Sequence, residues 1–313
     1  QFSDNSVDPT IKEQQANALM NQGKLQESEA IYTELIIAGT RNHIVYGNLA
    51  VIYLMQGRHE KSIPLLNKSL ELKPNNSDAH INLGNALQAQ GDLNAAIASY
   101  KKALEINPNY PEAHNNLGSA LYQQDNLTAA IAAYNTAIKL KPNLPKTHNN
   151  LGLALQERGD INAAIASFNK AIELNPNFTD AHFNLGNALK EQGDLSAAID
   201  SFNTALHLKP NFPDAHFNLG NALKEKGDLT AAIDSSNTAL HLKPNFPDAH
   251  INLGNALQEK GDLTAVIATC NKALELIPNF PEAHFNLGNA LKEQGDLSAA
   301  IDSFNTALHL KPN

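Results

Sequence analysis

The sequence is poor in cysteine, in basic residues and in long apolar runs, and each shortage excludes a class of protein. Cys270 is the single cysteine, so no disulfide can form within the chain. Lys and Arg total 23 against 32 Asp and Glu, which gives a net charge of −9. That sign argues against nucleic acid as the main partner and against an anionic membrane surface. No stretch approaches the roughly 18 apolar residues of a membrane-spanning helix.

The remaining composition is that of a folded chain. Hydrophobic residues make up 42% and charged residues only 18% of the 313 residues, so the chain can bury a large core and is not a disordered segment. No signal peptide is visible. We therefore expect a cytoplasmic location, although the sequence begins at Gln1 rather than Met, which leaves open that a targeting segment was removed.

The dominant feature of the sequence is a 34-residue repeat. Residues 181–211, AHFNLGNALKEQGDLSAAIDSFNTALHLKPN, recur letter for letter at residues 283–313, an offset of three repeats. We predict a polar leader at residues 1–8 and then a single array over residues 9–313. Its nine repeats, of which the first two are degenerate, span about 9–42, 43–76, 77–110, 111–144, 145–178, 179–212, 213–246, 247–280 and 281–313.

Each repeat is predicted to fold as two helices joined by a tight turn. In the repeat at 179–212, Leu185, Ala188 and Leu189 recur at helical spacing and give the first helix an apolar stripe. Gly193 can end that helix with a positive φ, and Asp194 can cap the next helix with its carboxylate. The second stripe consists of Ala198, Ile199, Phe202, Ala205 and Leu206.

This pattern resembles the tetratricopeptide repeat, which has the same length. The family's Leu-Gly pair stands at Leu185-Gly186, and its Ala, aromatic, Ala and Pro positions stand at Ala198, Phe202, Ala205 and Pro210. The family's leading Trp is replaced here by a histidine in seven repeats: His80, His114, His148, His182, His216, His250 and His284. The resemblance implies an all-α solenoid, a right-handed superhelix of about nine helix-turn-helix repeats, with the first helices lining a concave groove that binds polypeptide.

Two columns of polar residues on the first helices are the candidate binding site. The first asparagine column consists of Asn48, Asn82, Asn116, Asn150, Asn184, Asn218, Asn252 and Asn286. The second asparagine column, about one helical turn on, contains Asn85, Asn187, Asn221, Asn255 and Asn289, with Ser119 and Leu153 at the equivalent positions of two repeats. An amide can both donate to and accept from the backbone of an extended peptide. The alternative is that these residues are inherited by duplication or form hydrogen bonds between helices.

The Asn-rich columns also resemble the repeat domain of O-linked N-acetylglucosamine transferases, which holds substrate and adaptor polypeptides. That resemblance implies that the chain is the binding arm of a larger protein, with a catalytic domain after Asn313. A carboxylate clamp for C-terminal peptides is not expected, because its Lys is replaced by residues such as Phe183, Phe217 and Phe285. These three rings are instead predicted to add apolar contacts to the groove.

The competing function is structural. The array ends at a repeat boundary without a polar capping helix, so the last helix would expose Ile301 and Leu308 and could support self-association or stacking. We predict no enzymatic activity within this chain, no cofactor and no metal site, because the histidines and carboxylates are periodic and show no ligand spacing. Cys270 occupies the aromatic packing position and is expected to be buried rather than nucleophilic.

Overall fold

The computed structural model describes residues 8–311 and contains only α-helices over that range. Residues 1–7, which make up most of the predicted leader, and residues 312–313 lie outside the described part. Nine helices begin the repeats and nine complete them. The odd-numbered helices are α1 (Pro9–Asn21), α3 (His43–Met55), α5 (Ser77–Ala89), α7 (Pro111–Gln123), α9 (Pro145–Glu157), α11 (Thr179–Gln192), α13 (Pro213–Glu225), α15 (Pro247–Lys260) and α17 (Pro281–Gln294).

The even-numbered helices complete each repeat. They are α2 (Leu25–Ile37), α4 (His59–Leu72), α6 (Leu93–Ile106), α8 (Leu127–Leu140), α10 (Ile161–Leu174), α12 (Leu195–Leu208), α14 (Leu229–Leu242), α16 (Leu263–Leu276) and α18 (Leu297–Leu310). No helix between residues 8 and 311 combines the length and apolarity needed to cross a bilayer.

The turn inside each repeat follows the chemistry of its residues. Gly193 ends α11 with φ +92° and ψ 2°, a left-handed conformation that favours glycine. The Asp194 carboxylate then accepts a hydrogen bond from the backbone N–H of Ala197 at 3.0 Å and caps α12. Asp125 replaces the glycine in another repeat and adopts φ 62°, which Asp tolerates better than most residues. Asn126 follows it as the cap of α8.

The described residues divide into two compact halves, residues 8–158 and 159–311. Within each half, the first helices of successive repeats touch one another, whereas successive second helices make no such contact among the residues described. The odd-numbered helices therefore form an inner layer and the even-numbered helices an outer layer. Side chains on the exposed surface of the inner layer line the groove of each half.

The inner and outer layers are held close by an aromatic ring set against a glycine. A Cβ atom added to Gly186 would lie 2.6 Å from Cε1 of Phe202, a ring that is fully buried. The same arrangement pairs Gly84 with Tyr100, Gly118 with Tyr134 and Gly288 with Phe304. The ring lies against bare backbone, so any side chain at the glycine would force the two helices apart.

Two alanine substitutions in the N-terminal half should have opposite effects on stability. Gly84→Ala places a methyl group 2.5 Å from Cε1 of Tyr100, and we expect it to lower the free energy of unfolding by about 1–3 kcal/mol. Gly47→Ala meets only Ser69 Oγ, at 3.5 Å, so the better helix propensity of alanine should raise stability by up to about 1 kcal/mol. Urea unfolding followed by circular dichroism measures both. Shifts of the same sign would contradict the proposed role of the ring.

Candidate functional site

The first asparagine column lies on the inner helices, and its described members are half-buried in both halves of the chain. Asn218, for example, lies on α13 one residue before the buried Leu219. The column therefore borders the apolar layer between helices without entering it. This position allows each amide to reach both a neighbouring helix and the groove.

Four amides of the first column, two in each half, bond to the preceding repeat. The Nδ2 group of one asparagine donates a hydrogen bond to Oδ1 of a second-column asparagine 31 residues earlier, over 2.8–3.0 Å. We call these bonds the amide seams. The pairs are Asn48–Asn17, Asn116–Asn85, Asn218–Asn187 and Asn286–Asn255. Hydrogen bonding between helices, the alternative raised by the sequence, thus accounts for part of the column.

In the N-terminal half, two first-column asparagines stand opposite a second-column residue that is not asparagine. Ser119 stands opposite Asn150, and Asn150 donates instead to Oδ1 of Asn115 at 3.3 Å. Val51 stands at the second-column position opposite Asn82 and has no acceptor to offer. Both residues line a small cavity of about 160 Å³ between α3 and α5.

Tyrosines from the outer helices fix the acceptor side of two seams. The buried Tyr100 donates its hydroxyl to Asn85 Oδ1 at 2.8 Å, and Tyr32 donates to Asn17 Oδ1 at 2.9 Å. Burial raises the pKa of the Tyr100 phenol, so it remains a donor. The second asparagine column, as predicted from the sequence, omits Asn17. Asn17 lies two repeats before Asn85, so the 34-residue period could have identified it.

A seam uses only part of the hydrogen-bonding capacity of its two amides. An asparagine has two N–H donors and two acceptor lone pairs on its oxygen. In the Asn218–Asn187 pair, no other described residue bonds to Asn218 Oδ1 or to the Asn187 amino group. The seam therefore fixes the rotation of both side chains. It leaves an acceptor, Asn218 Oδ1, and a donor, the Asn187 amino group, side by side.

The predicted groove aromatics fall into two situations. Phe183 and Phe217 are half-buried, because rings from the following linkers cover them: the Phe183–Phe212 and Phe217–Phe246 centroids are both 4.8 Å apart. These two residues therefore also pack between repeats. Of the three rings, Phe285 is the exposed one, with a relative solvent exposure of 54%.

The repeated histidines join the end of one repeat to the start of the next. In all seven, Nε2 lies 2.9–3.3 Å from the carbonyl oxygen of the proline six residues earlier. A carbonyl oxygen can only accept, so Nε2 carries the proton in this bond. Residues 8–311 contain no group of three or more His, Cys, Asp or Glu residues arranged to hold a metal.

Cys270 is fully buried on α16. Burial raises the pKa of its thiol to about 11, so the group stays protonated at neutral pH and is a poor nucleophile. Periodic carboxylates such as Asp228 and Asp262 accept the hydrogen bonds of helix N-termini. The chemistry of the inner surface is therefore that of amides and rings.

The repeats match models of a known family. A model described as "TPR repeat" matches residues 50–91, 84–125, 118–159, 154–193, 186–227, 220–261 and 254–295, and one described as "Tetratricopeptide repeat" matches residues 281–313. Together they cover more than half of the chain. The chain has no match among curated protein sequences.

Several solved structures share the fold. A chain of the APC/C hetero-tetramer Cut9-Hcn1 is 21% identical over 88% of this chain and 54% of its own length, with a TM-score of 0.64. Pseudomonas aeruginosa PilF is 22% identical over 69% of this chain and 97% of its own, with a TM-score of 0.61. YrrB, described as a TPR protein with an unusual peptide-binding site, is 25% identical over 63% of this chain and 97% of its own, with a TM-score of 0.51. The predicted all-α solenoid is thereby confirmed, while the first two likenesses show the fold alone.

One histidine should make stability depend on pH. His250 Nδ1 is buried without a partner among the described residues, and burial, assisted by Lys272, lowers the pKa of the ring although the Pro244 carbonyl and Glu275 oppose the shift. Because the folded pKa lies below the unfolded value of about 6.5, the stabilisation is present above that pH and is lost as the pH falls.

We therefore expect the melting temperature to fall between about pH 7.5 and pH 5.5, and to fall less in His250→Gln, whose amide can still donate to Pro244. His207→Gln, at an exposed position of α12, is the matched control. Thermal unfolding at both pH values measures the difference. An equal loss in wild type and His250→Gln would show that this ring does not contribute.

Proposed function

Because the chain belongs to the tetratricopeptide repeat family, we propose that it is a scaffold whose groove binds an extended polypeptide through the two asparagine columns. Repeat arrays of this kind present extended concave surfaces for binding. The observation that carries the proposal is the unused acceptor and donor of the Asn218–Asn187 and Asn286–Asn255 seams, which are already oriented before any ligand arrives. Preorganised groups lose little conformational entropy on binding.

An extended peptide has the complementary groups at a compatible spacing. Its backbone offers an N–H and a carbonyl at every residue, and neither depends on the side chain. Packed helices lie about 8–10 Å apart, and an extended chain advances about 3.3 Å per residue, so successive asparagines of the first column would meet roughly every third peptide residue. Such contacts hold the ligand in register but read little of its sequence.

The chemistry of the partner follows from these contacts. A polypeptide segment fits, whereas the excess of acidic residues disfavours nucleic acid. We further propose, from the resemblance to the repeats of O-linked N-acetylglucosamine transferases, that the chain acts as the substrate- or partner-binding arm of a larger protein. We also propose that the chain is cytoplasmic.

The proposal can be tested by removing the unbonded side-chain amino group from two seams. In Asn187→Asp/Asn255→Asp, each carboxylate can still accept from Asn218 or Asn286, while the amino group that would face the peptide is removed. We expect peptides selected from a random twelve-residue library on the wild-type chain to bind at least about tenfold more weakly, since each lost hydrogen bond contributes about 0.5–1.5 kcal/mol.

The control variant carries the same charge change on the outer layer. Asn203→Asp/Asn271→Asp alters two exposed residues of α12 and α16, again two repeats apart. It should leave peptide affinity within about twofold, because exposed charges on the opposite layer are screened by salt. Equal affinity of the Asn187→Asp/Asn255→Asp variant and this control would remove the columns from the binding mechanism.

A second candidate function is self-association through the last helix pair. Leu297, Ile301 and Leu308 on α18 are 61%, 58% and 59% exposed, which supports an apolar surface on this helix. If this surface joins copies of the chain, static light scattering should give a mass that rises with concentration, and Ile301→Gln/Leu308→Gln should return it to that of a monomer. A monomer mass at all concentrations in the wild type would exclude this function.

A further inference from the structure

The small cavity of about 160 Å³ between α3 and α5 lies within the N-terminal half of the array. Two successive members of the first asparagine column, Asn48 and Asn82, line it. Its polar lining also includes His43, Ser69 and Asp78. We call it the inner cavity. It lies on the path that the proposed function gives to a peptide passing from one asparagine of the column to the next.

Three residues of one repeat account for the inner cavity. Gly47, Val51 and Leu66 line it, and the next repeat has isoleucine, asparagine and tyrosine at the same three positions. Glycine and leucine fill less space than isoleucine and tyrosine do. Valine offers no amide oxygen to Asn82, which therefore forms no seam. Free space and unpaired polar groups thus coincide at one place on the inner layer.

Several polar groups around the inner cavity have no partner among the residues described. The Asn82 side chain forms no hydrogen bond with them. Asn48 donates through Nδ2 to the preceding repeat, but its Oδ1 receives no hydrogen bond from a described residue. His43 Nδ1 is buried and unbonded within the same part of the chain. Ser69 Oγ donates to the His43 carbonyl at 2.8 Å and retains its lone pairs.

The fixed charge at the inner cavity is negative. Asp78 accepts a hydrogen bond from the Tyr110 hydroxyl through Oδ1 at 2.8 Å, and no described residue bonds to its Oδ2. Burial lowers the pKa of the His43 ring, with a further lowering by Lys73 that Glu13 opposes, so the ring is neutral at pH 7. Among the described residues that line the cavity, Asp78 is therefore the charged one.

This lining is complementary to a basic side chain. Open acceptors, which are a carboxylate oxygen, two amide oxygens and a hydroxyl oxygen, outnumber the donor of the Asn82 amino group. Lysine and arginine carry only donors at their tips, and their aliphatic stems match the apolar wall of Val51, Leu66 and Ala79. A polar cavity holds water when it is empty, and a basic group can replace the hydrogen bonds of that water. An acidic side chain would instead be repelled by Asp78.

We propose that the inner cavity is a specificity subsite that binds a lysine or arginine side chain of the bound polypeptide. This inference rests on the proposed function of the groove, because a peptide held by Asn48 and Asn82 has its backbone above the cavity. One side chain between these two contacts then points into it. The asparagine columns hold the backbone of any sequence, and the subsite selects peptides with a basic residue at one position.

The test uses fluorescent peptides selected on the wild-type chain from the random twelve-residue library. We expect lysine or arginine at one fixed position of the selected peptides. Replacing that residue by glutamine should weaken binding to the wild-type chain at least about fivefold in fluorescence anisotropy, because hydrogen bonds between charged groups are stronger than neutral ones. On Asp78→Asn, whose side-chain oxygen can still accept from Tyr110, the same replacement should change affinity less than about twofold.

Two further variants separate charge from space. Gly47→Phe fills the inner cavity and retains Asp78, so it should also abolish the preference for the basic residue. Asp214→Asn is the matched control, because Asp214 has the same repeat position at the start of α13 in the other half. It should keep the preference of the wild type. Circular dichroism establishes that each variant is folded.

The remaining outcomes count against the subsite. Selected peptides without an excess of lysine and arginine, or a full preference retained in Asp78→Asn and Gly47→Phe, would overturn it and leave the groove function in place. Equal binding of norleucine and lysine at the selected position would assign the cavity to an apolar side chain instead. A failure of the groove function is detected separately, by unchanged affinity of Asn187→Asp/Asn255→Asp, because the subsite is measured as a ratio of two peptides on one chain. A library that contains no binder would overturn both proposals.

Discussion

The contact between an outer-helix ring and an inner-helix glycine sets the geometry on which the rest of the protein depends. Where Tyr100 lies against Gly84 or Phe202 against Gly186, the two helices of a repeat are as close as a flat ring permits. The same ring also packs toward the next repeat, as Phe202 does in the cluster with Leu219 and Ala222. One interaction thus fixes the distance within a repeat and the position of its neighbour.

That fixed distance allows short polar side chains to bridge successive inner helices. An asparagine can complete a 2.8 Å bond across a seam only if the helix positions are reproducible, and they are in four seams over the two halves. Histidine and proline tie the outer end of one repeat to the inner helix of the next in a similar way. The proposed binding surface is therefore a product of packing, with the amides held by the scaffold before they meet a ligand.

The periodic sequence predicted the place of each residue within a repeat but not its partner in another. Gly193, Asp194 and Asp125 behave as their local chemistry predicts. The seam between Asn218 and Asn187, the covering of Phe183 by Phe212 and the histidine–proline bond all join residues whose separation depends on packing distance and side-chain rotation. A repeat pattern carries no information on either quantity, which is why the partial covering of Phe183 and Phe217 could not be predicted.

The missing seam at Asn82 has a mechanical consequence for the N-terminal half. Between α3 and α5, Val51 faces Asn82 across a void of about 160 Å³, and Leu66 stands where neighbouring repeats have an aromatic ring. This junction therefore lacks the polar crosslink and the ring that stabilise the junctions on either side of it, where Asn48 bonds to Asn17 and Asn116 bonds to Asn85. When a load bends or stretches this part of the array, the deformation should concentrate there, so that the junction acts as a compliant joint between stiffer neighbours.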